Sequence, residues 1–248
     1  MSFFRAISRL LLFIGIVILR LTLAIIHSRM YPGNPEAVLI HLRKWASHTL
    51  AFMGIEVELK GQIPTQAALI MPNHRSYIDI IFFPNFVKAA CFVAKAEVRR
   101  WPLIGLGAAV VGTIFVDRNN KDSRRQTRED IKTRLAQGYS VVVFPEGTTY
   151  KTPELGVFNP GMFFAAAEGN IPVIPVAIEY EDPEDAWVGK DTFIPHFIKT
   201  FGKKSSKVKI VFGTVMTNTD GEKLLSEVRT WIEAELTQIQ SEWRIKNK

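Results

Sequence analysis

Cysteine is almost missing: Cys91 is alone among 248 residues, which excludes an internal disulfide and any cysteine-based metal cluster. It sits in the apolar run Ala89-Ala90-Cys91-Phe92-Val93 and reads as a small buried hydrophobe. The chain has no G-x-S-x-G elbow, no Walker loop and no H-E-x-x-H pair, so the usual signatures of serine hydrolases, P-loop NTPases and zincins are lacking. Gly105-Leu106-Gly107 has no third glycine in place, and a dinucleotide fingerprint fails. The five histidines are scattered and form no zinc set, so no metal is expected. Acidic residues are the minority, 24 against 31 basic ones, for a net charge of +7. That balance suits an anionic partner, but no nucleic-acid module accompanies it and nucleic acid is not expected.

Apolar residues, at 47%, are ample for a folded core. They concentrate first in Leu10 to Ile26, interrupted by Arg20 and Thr22 and preceded by Arg5 and Arg9. No small-x-small cleavage site follows, which disfavours a secretory signal. Arginine at the centre of a spanning helix costs about 2.5–3.5 kcal/mol on insertion scales. On a helix, Arg5, Arg9, Arg20 and His27 fall within about 60° of one another. A basic stripe on a greasy cylinder suits a helix lying in an anionic membrane face, with a single tilted span or a buried core helix as the alternatives. The expected location is therefore membrane-associated, on the cytoplasmic face.

Tyr31-Pro32-Gly33-Asn34-Pro35 ends this helix, and a second is predicted from Glu36 to Phe52. Residues 1–54 are thus read as a membrane-associated helical pair and 55–248 as one catalytic domain. Ile55 to Lys60 alternates as a half-buried strand does. Further strands are predicted at Ala67–Met71, Ala90–Ala94, Val110–Val116, Ser140–Phe144, Val173–Glu179 and Val208–Phe212. Helices are predicted at Ser123–Gln137, Asn159–Glu168 and Gly221–Trp243, the last burying Leu224, Leu225, Val228, Trp231, Ile232 and Leu236. The fold class is α/β: a twisted, mostly parallel or mixed sheet with helices on both faces.

Asn73-His74-Arg75-Ser76-Tyr77-Ile78-Asp79 follows an apolar strand and a Pro72 break. His74 should therefore emerge at a strand's carboxyl end, where open α/β sheets bind ligands. Five residues on a regular helix are about 140° apart, so His74 can meet Asp79 only by folding back from a turn onto a helix that carries the acid. Alone, the pair reads equally well as a structural contact. Three further segments follow in order: Gly112-Thr113-Ile114-Phe115-Val116-Asp117-Arg118, Val143-Phe144-Pro145-Glu146-Gly147-Thr148-Thr149, and Ile171-Pro172-Val173-Ile174-Pro175-Val176.

Together with Ala94-Lys95-Ala96-Glu97 and Trp101-Pro102-Leu103-Ile104-Gly105, this series closely resembles the lysophosphatidic acid and glycerolphosphate acyltransferase family, over roughly residues 55–215. The resemblance implies transfer of a fatty acyl group from acyl-CoA or an acidic acyl-carrier protein to the hydroxyl of a lysolipid acceptor. The implied acceptor is 1-acyl-sn-glycerol 3-phosphate, with phosphatidic acid as product. No cofactor or covalent intermediate is implied. His74 would act as general base, as an imidazole suits, with Asp79 fixing its tautomer. Arg118 would bind acceptor phosphate, where a guanidinium binds bidentately. Lys95 matches a family lysine and would line the site. Glu146, Gly147 and Thr148 would belong to the substrate site, Glu146 orienting acceptor or bracing the loop, and the loop with Gly147 presenting backbone N–H groups to an oxyanion. Lys121, Arg124, Arg125 and Arg128 would draw in anionic headgroups or the carrier.

One departure weakens the phosphate-monoester acceptor. The family pattern usually has arginine after E-G-T, and this chain has Thr149. E-G-T-T and the segment Trp187-Val188-Gly189-Lys190, then His196, are similar to relatives acting on lyso-ornithine lipid or other lysolipids. Two readings from other classes stand beside these: a lipid hydrolase, and a non-catalytic membrane-binding module.

Overall fold

Strands form where apolar runs are bounded by proline, glycine or polar turns. They are β1 (Ile55–Gly61), β2 (Leu69–Pro72), β3 (Ala90–Lys95), β4 (Ile114–Val116), β5 (Ser140–Val142), β6 (Val173–Tyr180) and β7 (Ser206–Phe212). The computed structural model describes residues 2–151, 153–189 and 191–246. The seven strands make one sheet in the order β1-β7-β6-β2-β5-β3-β4. Every neighbouring pair is parallel except β6 and β7. The five strands from β4 to β6 therefore point their carboxyl ends at one edge of the molecule.

The helices are α1 (Phe3–Met30), α2 (Glu36–Met53), α3 (Asp79–Phe86), α4 (Ile104–Val110), α5 (Lys121–Ala136), α6 (Gly161–Glu168), α7 (Phe193–Phe201) and α8 (Gly221–Lys246), with 3-10 turns at Ala96–Arg100 and Pro183–Asp185. All residues of β2, β5 and β6 are buried, as in a sheet covered on both faces. Their side chains alternate between two cores. Leu69 and Met71 pack with Phe163, Leu224 and Val228 on one face, and Ile70 with Phe82, Phe83 and Phe197 on the other. The mixed α/β architecture matches the sequence reading.

Two local expectations change. Val110–Val116 is not one strand: Val110 ends α4, Gly112 turns the chain at φ 79°, and only Ile114–Val116 pairs, with β3. A helix not expected from the sequence, α7, takes Pro195 into its first turn, where proline loses no intrahelical hydrogen bond.

The N-terminal pair packs on the body rather than apart from it. Leu39 of α2 joins one core, and Ala46, Leu50 and Met53 join the other. α1 lies over α2 with its basic stripe turned inward. Arg9 donates to the carbonyls of Phe52, Phe201, Lys203 and Lys204 at 2.8–3.0 Å. Arg5 donates to Gly202 O at 3.2 Å, Arg20 lies 3.3 Å from His48 Nδ1, and His27 Nδ1 lies 3.0 Å from His41 Nε2. Of the stripe expected to meet lipid headgroups, Arg5 and Arg9 instead donate to backbone carbonyls of the protein, and Arg20 and His27 meet histidine rings of α2. The face left outside is apolar and includes Phe4, Leu11, Leu12, Ile18 and Leu19. α1 is long and apolar enough to cross a membrane, yet it is tied to the body near both of its ends.

Candidate active site

His74 lies just past the end of β2, the central strand of the seven-stranded sheet. Asn73 fixes the start of the turn: its side chain donates to Ile178 O at 2.9 Å and accepts from Ile178 N at 2.7 Å, extending the β2–β6 pairing by side chain. The chain then folds back, as the five-residue spacing demanded. Asp79 is the first residue of α3, and its Oδ2 lies 2.8 Å from His74 Nδ1.

Asp79 is fully buried and held by three more donors. Oδ2 accepts from Arg75 N at 2.7 Å and Ser76 N at 2.9 Å, and Oδ1 accepts from the Tyr180 hydroxyl at 2.6 Å. Burial, then the Asp79 charge, push the Tyr180 phenol well above its ordinary value, so it stays a donor. A carboxylate receiving four donors accepts only. His74 Nδ1 must therefore carry its proton toward Asp79, leaving Nε2 as the basic nitrogen. The imidazole stacks on Phe144 at 4.0 Å between centroids and 25° between planes. Ring tautomer and ring plane are both set before any ligand arrives.

A second buried carboxylate holds the same turn by its backbone. Glu146 Oε2 accepts from His74 N, and Oε1 accepts from Gly156 N at 2.7 Å. Burial pushes the Glu146 carboxyl up, against the pull of these two N–H groups and of Arg75. Arg75 is fully buried as well. It reaches Glu179 at 3.1 Å and donates to the carbonyls of Tyr150 and Glu154. Gln240 of α8 also donates to Glu179, at 3.0 Å.

Beside His74 opens a cavity of about 400 Å³ that runs between the strand ends and the α1–α2 pair. His74, Lys95, Arg118, Gly147 and Thr148 all line it, so five of the seven residues singled out from the sequence share one space. Its far walls are apolar, among them Val17 and Leu21 of α1 and Leu42 of α2. Asp79 lies behind His74. Glu146 lies beneath the loop, both oxygens taken by backbone, which is the bracing arrangement and not contact with a ligand. Gly147 has φ 68°, which favours glycine, and a Cβ there would fall 2.2 Å from Arg118 Nη1 and displace that guanidinium. Its own N–H donates to Phe144 O at 3.0 Å. Its carbonyl accepts from Arg118 Nη1 at 3.0 Å, aligning that guanidinium with the cavity.

Thr149 also lines the cavity, with its hydroxyl donated to Trp187 O. Arg124 donates to Arg118 O at 2.6 Å, so the basic start of α5 stands directly behind Arg118. His196 is buried away from the cavity, 3.1 Å from Ala186 O; Lys190 lies outside the described residues. Among the described residues no three His, Cys, Asp or Glu side chains cluster as a metal site. Sequence reasoning missed Tyr180, Arg75, Glu179 and Phe144. Only Phe144 carried a signal, as the apolar residue directly ahead of the Pro145-Glu146-Gly147 turn.

A His–Asp pair at the carboxyl ends of parallel strands, its imidazole opening on a largely apolar cavity, marks an α/β protein with one candidate site. The sequence model of the Acyltransferase family matches residues 54–179. The lyso-ornithine lipid O-acyltransferase of Pseudomonas aeruginosa is 34% identical over 159 residues, 62% of this chain and 61% of that protein. Its namesake from Rhizobium meliloti is 32% identical over 69% of this chain and 65% of its own length. The 1-acyl-sn-glycerol-3-phosphate acyltransferase of Neisseria gonorrhoeae is 30% identical over 67% and 63%. The chain thus spans less than two thirds of each of these relatives. In fold, it matches the crystal structure of the 1-acyl-sn-glycerophosphate (LPA) acyltransferase PlsC from Thermotoga maritima with a TM-score of 0.72, 21% identity and coverage of 97% and 98%. The chain belongs to the Acyltransferase family.

Proposed function

We propose that this protein transfers a fatty acyl group from a thioester, acyl-CoA or acyl-carrier protein, to the free hydroxyl of a lysolipid at a membrane surface. The observation that carries this is the 2.8 Å contact between His74 Nδ1 and Asp79 at the wall of a long apolar cavity. His74 Nε2 takes the hydroxyl proton as the acceptor oxygen attacks the thioester carbonyl. Asp79 stabilises the imidazolium that forms. The tetrahedral intermediate collapses with cleavage of the C–S bond, and the thiolate recovers the proton from Nε2. The acceptor is its own nucleophile, so no enzyme serine takes part. The apolar part of the cavity suits the acyl chain, and Arg118 with Lys95 suits the anionic end of a substrate. α1, tied to the body along its length with its apolar face outward, suits a monotopic seat on the membrane, on the cytoplasmic side where the thioester donor is found.

For the acceptor we favour a lyso-ornithine lipid. The residue after E-G-T is Thr149, whose hydroxyl is spent on Trp187 O, so this position adds no second cation beside Arg118. The names of two relatives point the same way. Acylation of 1-acyl-sn-glycerol 3-phosphate is the second reading, supported by Arg118 and Lys95 together on one wall.

The test is one purified preparation with a labelled acyl donor against lyso-ornithine lipid, 1-acyl-sn-glycerol 3-phosphate and lysophosphatidylcholine. His74→Ala and Asp79→Asn should lose transfer by at least about 10²-fold while remaining folded. Undiminished turnover in His74→Ala would overturn the base assignment. Fatty acid release without any acceptor would make the protein a hydrolase.

A further inference from the structure

Three large apolar side chains within one short turn are open to solvent: Trp101 at 50%, Leu103 at 38% and Leu106 at 52%. The turn that carries them is firmly built. Gly105 N donates to Trp101 O at 2.9 Å, and Gly107 N to Leu103 O at 2.8 Å. A Cβ at Gly105 would lie 2.3 Å from Arg99 O, so only glycine lets α4 close on the preceding 3-10 turn. Leu103 stands at φ 60°, ψ −52°, with Ile104 N donating to Pro102 O at 2.6 Å. That is the strained γ-turn, disfavoured for any residue with a Cβ. The backbone thus holds a leucine outward against its own preference.

Trp101 and Leu103 do two things at once: they are half-exposed, and they line the cavity. Residues that meet both solvent and cavity mark a mouth. Across it stand Val17, Leu21 and Ala24 of α1, against which α4 packs. The apolar turn therefore continues the outward apolar face of α1 around the opening. Arg99 and Arg100, both exposed, precede it.

We propose that the turn Arg99–Leu106 is a second membrane-inserting element, its partner an anionic bilayer. The two arginines sit at the headgroups, Trp101, Leu103 and Leu106 sink below them, and acyl chains pass sideways from the bilayer into the cavity between this turn and α1. The insertion stands on the exposed side chains alone; the passage rests on the reading of the cavity as an acyl-chain site.

The test uses the full chain with vesicles of phosphatidylglycerol and phosphatidylcholine. Leu106→Glu, which does not touch the cavity, should lower vesicle affinity about tenfold in flotation, as loss of one buried leucine side chain does. Arg99→Glu with Arg100→Glu should weaken binding to phosphatidylglycerol vesicles and leave binding to pure phosphatidylcholine unchanged. Phosphatidylcholine brominated on its acyl chains should quench a share of tryptophan emission that Trp101→Phe removes. Leu106→Glu should slow turnover of vesicle-borne acceptor and spare turnover of water-soluble short-chain substrates. Equal flotation of Leu106→Glu and wild type, with no quenchable emission lost in Trp101→Phe, would overturn the insertion. Reduced flotation with vesicle turnover undiminished would overturn the sideways passage. Flotation and quenching need no catalysis, so a wild type that inserts but transfers no acyl group would refute the proposed function and leave the insertion standing.

Discussion

The first and last helices of this protein are built as opposites. α8, 26 residues long, buries Leu224, Val228, Ile232, Leu236, Ile239 and Trp243 and keeps its charges off that apolar side. α1, 28 residues long, seats the charged end of the half-buried Arg9 among backbone carbonyls and turns Phe4, Leu11, Leu12, Ile18 and Leu19 outward. Both are amphipathic at the same period. What differs is the chemistry each outer face presents, and only the second is suited to a bilayer.

The largest effect that tests this contrast lies in α8. Ile232→Asp places an unpaired carboxylate in the core and should cost about 3–5 kcal/mol, read as a drop in the urea midpoint or in soluble yield. Its counterpart Leu12→Asp, on the outer face of α1, should leave the urea midpoint of the detergent-solubilised protein nearly unchanged. If the two lose stability alike, the outer face of α1 is packed and the contrast fails. Next comes Arg9→Ala, which strips four carbonyls of a cationic donor and should cost about 1.5–3 kcal/mol, with proteolysis between α1 and α2 as a second readout. A vesicle-binding defect without a stability defect would place this side chain on lipid after all. Smaller again is the membrane effect of Leu12→Asp itself, about tenfold in vesicle affinity. The smallest is a salt slope. With Arg5 occupied by the protein, Arg5→Ala should leave the salt dependence of vesicle binding unchanged; a flattened slope would mean that it meets headgroups.

The same contrast shows what could be read from the chain and what could not. Periodicity located α1 and α8 and the angular position of their polar residues, because those follow from local helix geometry. It could not say that the basic stripe of α1 faces inward, since its acceptors are carbonyls of residues 52 and 201–204, reached only once the chain has folded. The His74–Asp79 contact was legible because both residues lie within one turn and the spacing allowed a single kind of fold-back. The Tyr180 hydroxyl on Asp79 comes from 101 residues away, and nothing near Tyr180 announces it. Glu146 was visible as a site residue, but whether its carboxylate turns to the cavity or to backbone N–H groups is decided by a loop conformation that composition does not encode.

Glu146 fastens two places at once, one oxygen on the His74 turn and the other on Gly156, ten residues beyond Glu146 itself. The stretch from Glu146 to Gly156 is thereby a cassette clipped shut at its base. Substitution at its exposed positions leaves the clip, and with it the seat of the imidazole, in place. Variation in this loop and constancy of the His74–Asp79 contact are thereby kept independent.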